Sequence, residues 1–295
     1  MNEKKEVQVD DYDYPVAPTW CPGCGNFSIL GALKQALSNL SIPPHNTLMV
    51  SGIGCGSKLV HYINGNGLHT VHGRPLPVAT GAQLANPSLN VIVTSGDGDS
   101  YGIGGNHFLH TCRRNIDITH IVEDNRIYGL TKGQYSPTSD EGFVTKTTPG
   151  GAIEKPVNPI AQAIASNATF IARGFAGDVG HLADLYAEAI KHKGYSLINT
   201  LQPCVTFNRV NTYESYHERV YKLEEEDYDP SDKEKAIKKA GEWEEKIPLG
   251  IIYREERPTY SDQLKTLKKG PVVDQELDRN KRKDIDLEKL KQEFT

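Results

Sequence analysis

Residues 90–99 read NVIVTSGDGD, and residues 118–129 read ITHIVEDNRIYG. Each begins as a short apolar, β-branched run and ends in residues that force a turn, so each predicts a buried strand leaving a sheet at its carboxyl end. The first turn is framed by glycine, Gly96-Asp97-Gly98-Asp99, and the second carries Asp124-Asn125, with 25 residues between Gly98 and Asp124. Glycine lets backbone N–H groups approach an anion closely. A hard cation such as Mg²⁺ takes oxygen ligands in near-octahedral geometry and keeps phosphates among them. Asp97, the amide oxygen of Asn125 and a backbone carbonyl at Ile127 meet that requirement. An isolated GDG is an ordinary strand-to-helix turn. Two such signals at the carboxyl ends of parallel strands are different, because open α/β sheets bind ligands there. The pair predicts a magnesium diphosphate site.

Working outward, helical and strand patterns alternate. Helices are expected over residues 26–40, 75–84, 104–114, 159–168 and 179–192, and strands over 47–53, 90–95, 116–122, 170–175 and 195–201. The alternation implies right-handed βαβ crossovers and an α/β fold, a mainly parallel, doubly wound sheet with helices on both faces. Residues 1–19 read as an irregular acidic arm, 20–212 as the binding domain and 213–295 as a charged C-terminal extension. Within that extension a helix is expected over 232–246, a short strand over 249–253 and a charged tail at the end. Residues 128–156 form a long polar loop rich in Gly and Pro, too polar for core and long enough to be functional.

A chain of 295 residues can bury a large core. A net charge of −5 with no dominant basic stripe argues against nucleic acid as partner. No apolar stretch approaches the roughly 18 residues of a membrane span, and the N-terminus MNEKKEVQVDDYDY lacks the apolar core of a signal peptide. A cytoplasmic protein with no membrane partner is expected, and in a reducing compartment the five cysteines should stay free of disulfides.

Four cysteines lie in turn-like segments: Cys21 and Cys24 in WCPGCG, Cys55 in SGIGCGSK and Cys204 in LQPCVTFN. Cys112 lies in a probable helix, where a free cysteine behaves as a small buried hydrophobe. This is the pattern of four ligands and one packing residue. Four soft ligands suit either zinc or an iron–sulfur cluster. A lone CxxC is also compatible with a redox pair.

The ordered set WCPGCGNF, GIGCGSK, HTVHGRPLPVATG, SGDGDSYGIGGNH, DNRIYGLTKGQYSPT, QPCVTFN and KIPLGIIYRE, running from Trp20 to Tyr253, resembles the β subunit of 2-oxoacid:ferredoxin oxidoreductases. Those are thiamine-diphosphate enzymes whose diphosphate motif ends in Asn-Asn; here Asp124 replaces the first Asn, and the metal ligand Asn125 is kept. The resemblance implies the diphosphate-binding half of a thiamine-diphosphate fold. It implies that Cys21, Cys24, Cys55 and Cys204 hold a [4Fe-4S] cluster and that Asp97, Asn125 and the Ile127 carbonyl hold Mg²⁺. Gly54, Gly96, Gly98, Asp99 and Gly129 then shape the cofactor pocket. Lys58 and Lys132 are candidates to meet a substrate carboxylate, and His72 to line the pocket beside the thiazolium.

The activity implied is coenzyme A-dependent oxidative decarboxylation of a 2-oxoacid, 2-oxoglutarate ahead of pyruvate, with electrons leaving through the cluster to ferredoxin, and with reductive carboxylation as the reverse. Motifs for the pyrimidine end of thiamine are missing, so an α subunit carrying that half and the activating glutamate is implied, in an αβ or (αβ)2 assembly. A non-catalytic zinc or iron–sulfur module would explain the cysteines and leave GDG and DN unexplained. A cluster-free thiamine decarboxylase half would leave the cysteines unexplained.

Overall fold

The computed structural model describes residues 6–276 and residue 292. The tail expected over residues 279–294 lies outside the described residues, position 292 apart, as do the first five residues of the arm. The strands are β1 (Thr47–Ser51), β2 (Asn66–His69), β3 (Asn90–Gly96), β4 (Ile118–Asp124), the short pair β5 (Ile127–Tyr128) and β6 (Gln134–Tyr135), β7 (Phe170–Phe175), β8 (Tyr195–Leu201), β9 (Val220–Lys222) and β10 (Ile247–Arg254). The helices are α1 (Asn26–Asn39), α2 (Pro75–Ala85), α3 (Gly105–Arg114), α4 (Pro159–Ala165), α5 (Val179–Lys191), α6 (Tyr213–His217), α7 (Lys233–Ala240) and α8 (Tyr260–Gln263).

Eight strands form one sheet in the order β2-β1-β3-β4-β8-β7-β10-β9. The first six run parallel, β10 runs antiparallel to β7, and β9 runs parallel to β10. Central strands are buried along their whole length, as β-branched runs covered by helices on both faces must be. On one face α1 and α5 pack Leu33, Leu37, Leu182 and Tyr186 against Ile92, Ile121 and Ile198. On the other, Leu76, Phe108 and Ile160 from α2, α3 and α4 meet Val93, Val122 and Leu197. Side-chain caps start the later helices: Asn158 accepts from Ala161 N at 3.0 Å and Asp178 from His181 N at 3.1 Å.

The acidic arm is anchored, because Tyr12 is fully buried and its hydroxyl donates to the Ile42 carbonyl at 2.5 Å. Besides the two-residue β5 and β6, two strands of the large sheet escaped the pattern reading. β2 is exposed at all four positions and reads Asn-Gly-Leu-His, with no apolar alternation to mark it. β9 is three residues long. The helix expected over 232–246 stops at Ala240 with Gly241 as its C-cap, and Trp243 beyond it packs against the guanidinium groups of Arg126 and Arg173. The long loop also departs from expectation: Ser136, Thr138, Ser139 and Ala152 are buried, so part of it closes over the end of the sheet.

Candidate functional site

β3 and β4 end side by side, with Gly96 opposite Glu123 in register. Asp97 then starts a π-helical turn, Gly98–Ile103, closed by Gly104 N donating to the Asp99 carbonyl at 2.9 Å. Such turns are rare and recur at functional sites. Gly98 is required by close approach: a Cβ there would fall 2.1 Å from the Tyr128 ring.

The Asp97 carboxyl is 1 % exposed and accepts from Thr138 Oγ1 at 2.6 Å and from the Ser136 hydroxyl. The same Thr138 oxygen lies 2.8 Å from Asp124 Oδ1, and Asn199 Nδ2 donates to Asp124 Oδ2 at 3.1 Å. A hydroxyl has one proton, so Thr138 cannot donate to both carboxyl groups. Burial, reinforced by the charge of Asp124, pushes Asp97 up to about 7. The two carboxyl groups therefore compete for the one Thr138 proton.

Asn125 closes an Asx turn, its Oδ1 accepting from Ile127 N at 3.1 Å, while Nδ2 donates to Gln202 Oε1 at 2.9 Å. Arg126 follows at φ +59°, a left-handed residue held by Ser139 Oγ donating to its carbonyl at 2.6 Å. The β5–β6 hairpin pairs Ile127 with Tyr135 and so delivers Ser136 to Asp97. Asp99 faces elsewhere. Its Oδ1 takes Ile53 N at 3.0 Å, Gly73 N at 2.8 Å and His72 Nδ1 at 2.5 Å, tying the turn around Gly54 to the loop carrying His72. The His72 ring is edge-on to Tyr128, centroids 6.2 Å apart.

All four loop cysteines line one cavity of about 210 Å³, together with Lys58, Asn125, Gly129 and Lys132. Trp20 Nε1 donates to the Cys55 carbonyl at 2.7 Å, which ties the CxxC turn to the Cys55 turn. Gly25 N reaches the Pro203 carbonyl at 3.5 Å, and Gln202 Nε2 donates to Cys24 Sγ at 3.3 Å, which ties it to the Cys204 turn. Gly129 sits so that a Cβ there would lie 3.7 Å from the sulfurs of both Cys55 and Cys204. Among the described residues no three His, Cys, Asp or Glu side chains gather as the ligands of one ion would. The sulfurs surround a volume rather than a point.

Burial pushes the Cys24 thiol up to about 12 and the Cys55 thiol up to about 11, with the neighbouring thiols and Glu123 adding to it. Thiolates at Cys24 and Cys55 are therefore favoured only with a cation beside them. Cys112 is fully buried on α3, in the layer on the other side of the sheet. Lys58 and Lys132 both stand on the cysteine cavity; Lys58 Nζ donates to Thr19 Oγ1 at 2.5 Å, and Lys132 is left-handed at φ +80°.

Sequence reasoning missed Ser136, Thr138, Gln202 and Glu123. Glu123 is 1 % exposed, and both carboxyl oxygens lack a partner. Gly56 makes room for it, since a Cβ there would lie 2.0 Å from Oε2. The one signal was an acid at the end of a strand that is otherwise buried, ITHIVE. Burial pushes Glu123 up to about 8.

Between pH 4.5 and 8 the folded chain thus keeps a proton on Glu123 that the unfolded chain has released, so stability falls as pH rises through that window. Each pH unit costs about 1.4 kcal/mol. Glu123→Gln is expected to melt higher than the parent chain at pH 8, by about 2–4 °C per kcal/mol, with the gap narrowing toward pH 5. Asp97 acts in the same sense, so some slope should survive the substitution. Thermal melts of the cofactor-free chain at the two pH values check this, and an equal gap at both would refute it.

Comparison with known proteins follows the same lines. Residues 52–200 match the C-terminal TPP-binding domain of thiamine pyrophosphate enzymes, and residues 204–269 match the C-terminal family of the pyruvate ferredoxin oxidoreductase beta subunit. The chain is 51 % identical over 249 residues to a 2-oxoacid:ferredoxin oxidoreductase subunit beta of Saccharolobus solfataricus, covering 80 % of this chain and 82 % of that one. It is 46 % identical over 189 residues to the 2-oxoglutarate oxidoreductase subunit KorB of Mycobacterium tuberculosis, covering 64 % of this chain and 51 % of that one. A solved 2-oxoglutarate:ferredoxin oxidoreductase from Magnetococcus marinus, with 2-oxoglutarate, coenzyme A and succinyl-CoA bound, superposes with a TM-score of 0.90 at 36 % identity over 100 % of this chain and 98 % of that one.

Proposed function

The chain belongs to the β subunits of the 2-oxoacid:ferredoxin oxidoreductases, and on that premise we propose that its substrate is 2-oxoglutarate and that it uses Mg²⁺ and a [4Fe-4S] cluster beside thiamine diphosphate. It is an enzyme subunit that works with an α subunit and uses thiamine diphosphate and coenzyme A. The observation that carries the reading is adjacency: Asn125 belongs to the turn beside Asp97 and also lines the four-cysteine cavity.

The donor sets suit the groups proposed. Asp97, Asn125 and the Ile127 carbonyl are hard oxygens on the neighbouring turns that follow β3 and β4. The four sulfurs around a cavity suit a cluster better than a single zinc ion, for which the described residues offer no closed ligand set. When bound, thiamine diphosphate supplies an electron sink for loss of CO₂ from a 2-oxoacid, and a cluster supplies one-electron acceptance.

What the chain itself contributes is placement. Gly98 lets the π turn pass close against the Tyr128 ring; Ser136 and Thr138 orient Asp97; Trp20 and Gln202 hold the cysteine turns in register. Ferredoxin as electron acceptor and an αβ or (αβ)2 assembly complete the proposal. The preference for 2-oxoglutarate is supported by the KorB relatives and by the ligands named for the Magnetococcus marinus structure. The chain copurified with its α subunit should reduce a low-potential dye with 2-oxoglutarate and coenzyme A faster than with pyruvate; faster turnover of pyruvate would reverse the substrate choice, and a preparation without iron and acid-labile sulfide would remove the cluster.

Lys58 and Lys132 face the same cavity, and a 2-oxoacid carboxylate must be neutralised as it approaches. Lys132→Met is expected to raise KM, or lower kcat/KM, by roughly one to three decades with cofactor content unchanged. Lys58→Met does the same if Lys58 is the partner. Steady-state kinetics of both variants with 2-oxoglutarate and pyruvate test this; unchanged constants in both would move substrate recognition to the α subunit.

A further inference from the structure

We infer that the chain carries a second binding cavity, built on Arg173, for a small carboxylate with a short carbon body. The cavity measures about 190 Å³ and opens between β7, β8, the start of α4 and the segment after α7. Arg173 lies within β7 and is only 2 % exposed. Its guanidinium makes one long contact, Nη1 donating to the Pro248 carbonyl at 3.5 Å, and its Nε has no partner. Arg126 is 3 % exposed; its Nη2 donates to Asp140 Oδ1 at 2.6 Å, and its Nε also lacks a partner. Both guanidinium groups lie over the Trp243 ring, at 4.3 Å for Arg126 and 5.6 Å for Arg173.

A buried guanidinium left without hydrogen-bond acceptors is costly, even when a carboxylate nearby offsets its charge. The acids on the wall do not meet that need. Asp124 directs one oxygen to Thr138 at 2.8 Å and the other to Asn199 at 3.1 Å, and Glu244 is exposed at the mouth. What the cavity lacks is acceptor oxygens facing Arg173, which a carboxylate supplies in bidentate form. The remaining wall selects the rest of the ligand. Val157, Pro159, Ala240 and the Trp243 ring are apolar, so a short carbon chain fills the volume better than a bare inorganic ion.

The test is isothermal titration of the chain, copurified with its α subunit, with butyrate and with inorganic phosphate. Butyrate is expected to bind saturably and more tightly than phosphate. Arg173→Met removes the fork, and Val157→Phe fills the cavity while leaving both arginines in place; each should weaken butyrate by about tenfold to a hundredfold. The second variant stands in if the first fails to fold. Absence of saturable butyrate binding to the parent protein, or unchanged affinity in either folded variant, would overturn the site. Phosphate binding as tightly as butyrate would overturn the carboxylate assignment.

Discussion

Replacing Asp97 with Ala is expected to abolish binding of thiamine diphosphate with Mg²⁺ and to lower turnover by about three decades or more, while leaving iron and sulfide content unchanged. Asp97 is the one carboxyl at the tip of the GDG turn, and the hydroxyls of Ser136 and Thr138 aim it. Without it the turn would lose the one carboxylate that would hold a cation against a diphosphate. Two hydroxyls also lose their acceptor, which costs about 1–3 kcal/mol and leaves a chain of this size folded. Asp97→Asn keeps a hydrogen-bonding side chain of the same shape and should melt close to the parent chain, so its cofactor affinity isolates the carboxylate. Equilibrium binding with the cofactor checks both variants, and parent affinity in Asp97→Ala would end the diphosphate reading.

Replacing Cys204 with Ala is expected to remove the cluster and its visible absorbance and to bring dye reduction to background. Cys204 lines the cavity on the turn tied to the CxxC turn, and Gly129 holds the backbone against both Cys204 and Cys55. Cys112→Ala should keep absorbance and iron in full and lose only about 1 kcal/mol of packing, since its thiol is buried on α3 away from the cavity. Iron analysis of the two purified variants separates ligand from packing residue. Full iron in Cys204→Ala would sink the assignment.

The ends of β3 and β4 and the turn at Cys55 were legible because their chemistry is local: a β-branched run, then glycine or an Asx residue, then a ligand type. What was not legible depends on neighbours distant in the chain. The antiparallel direction of β10 cannot be read from IPLGIIYR, since an apolar run carries no sign for direction. Ser136 and Thr138 looked like loop polarity until the β5–β6 hairpin carried them onto Asp97. Lys58 was noted after the Cys55 turn and Lys132 after the metal loop, and that both line one cavity depends on the fold. Arg173 sits in a strand pattern, IARGF, that shows an interruption without saying what faces it.

The single Thr138 proton shared between Asp97 and Asp124 has a thermodynamic consequence for loading. With Asp97 pushed above the usual carboxylate range by burial, a cation taken up there by the protonated form must expel a proton into the solvent. Magnesium affinity should therefore weaken as pH falls, and the calorimetric heat of loading should change with the ionisation enthalpy of the buffer.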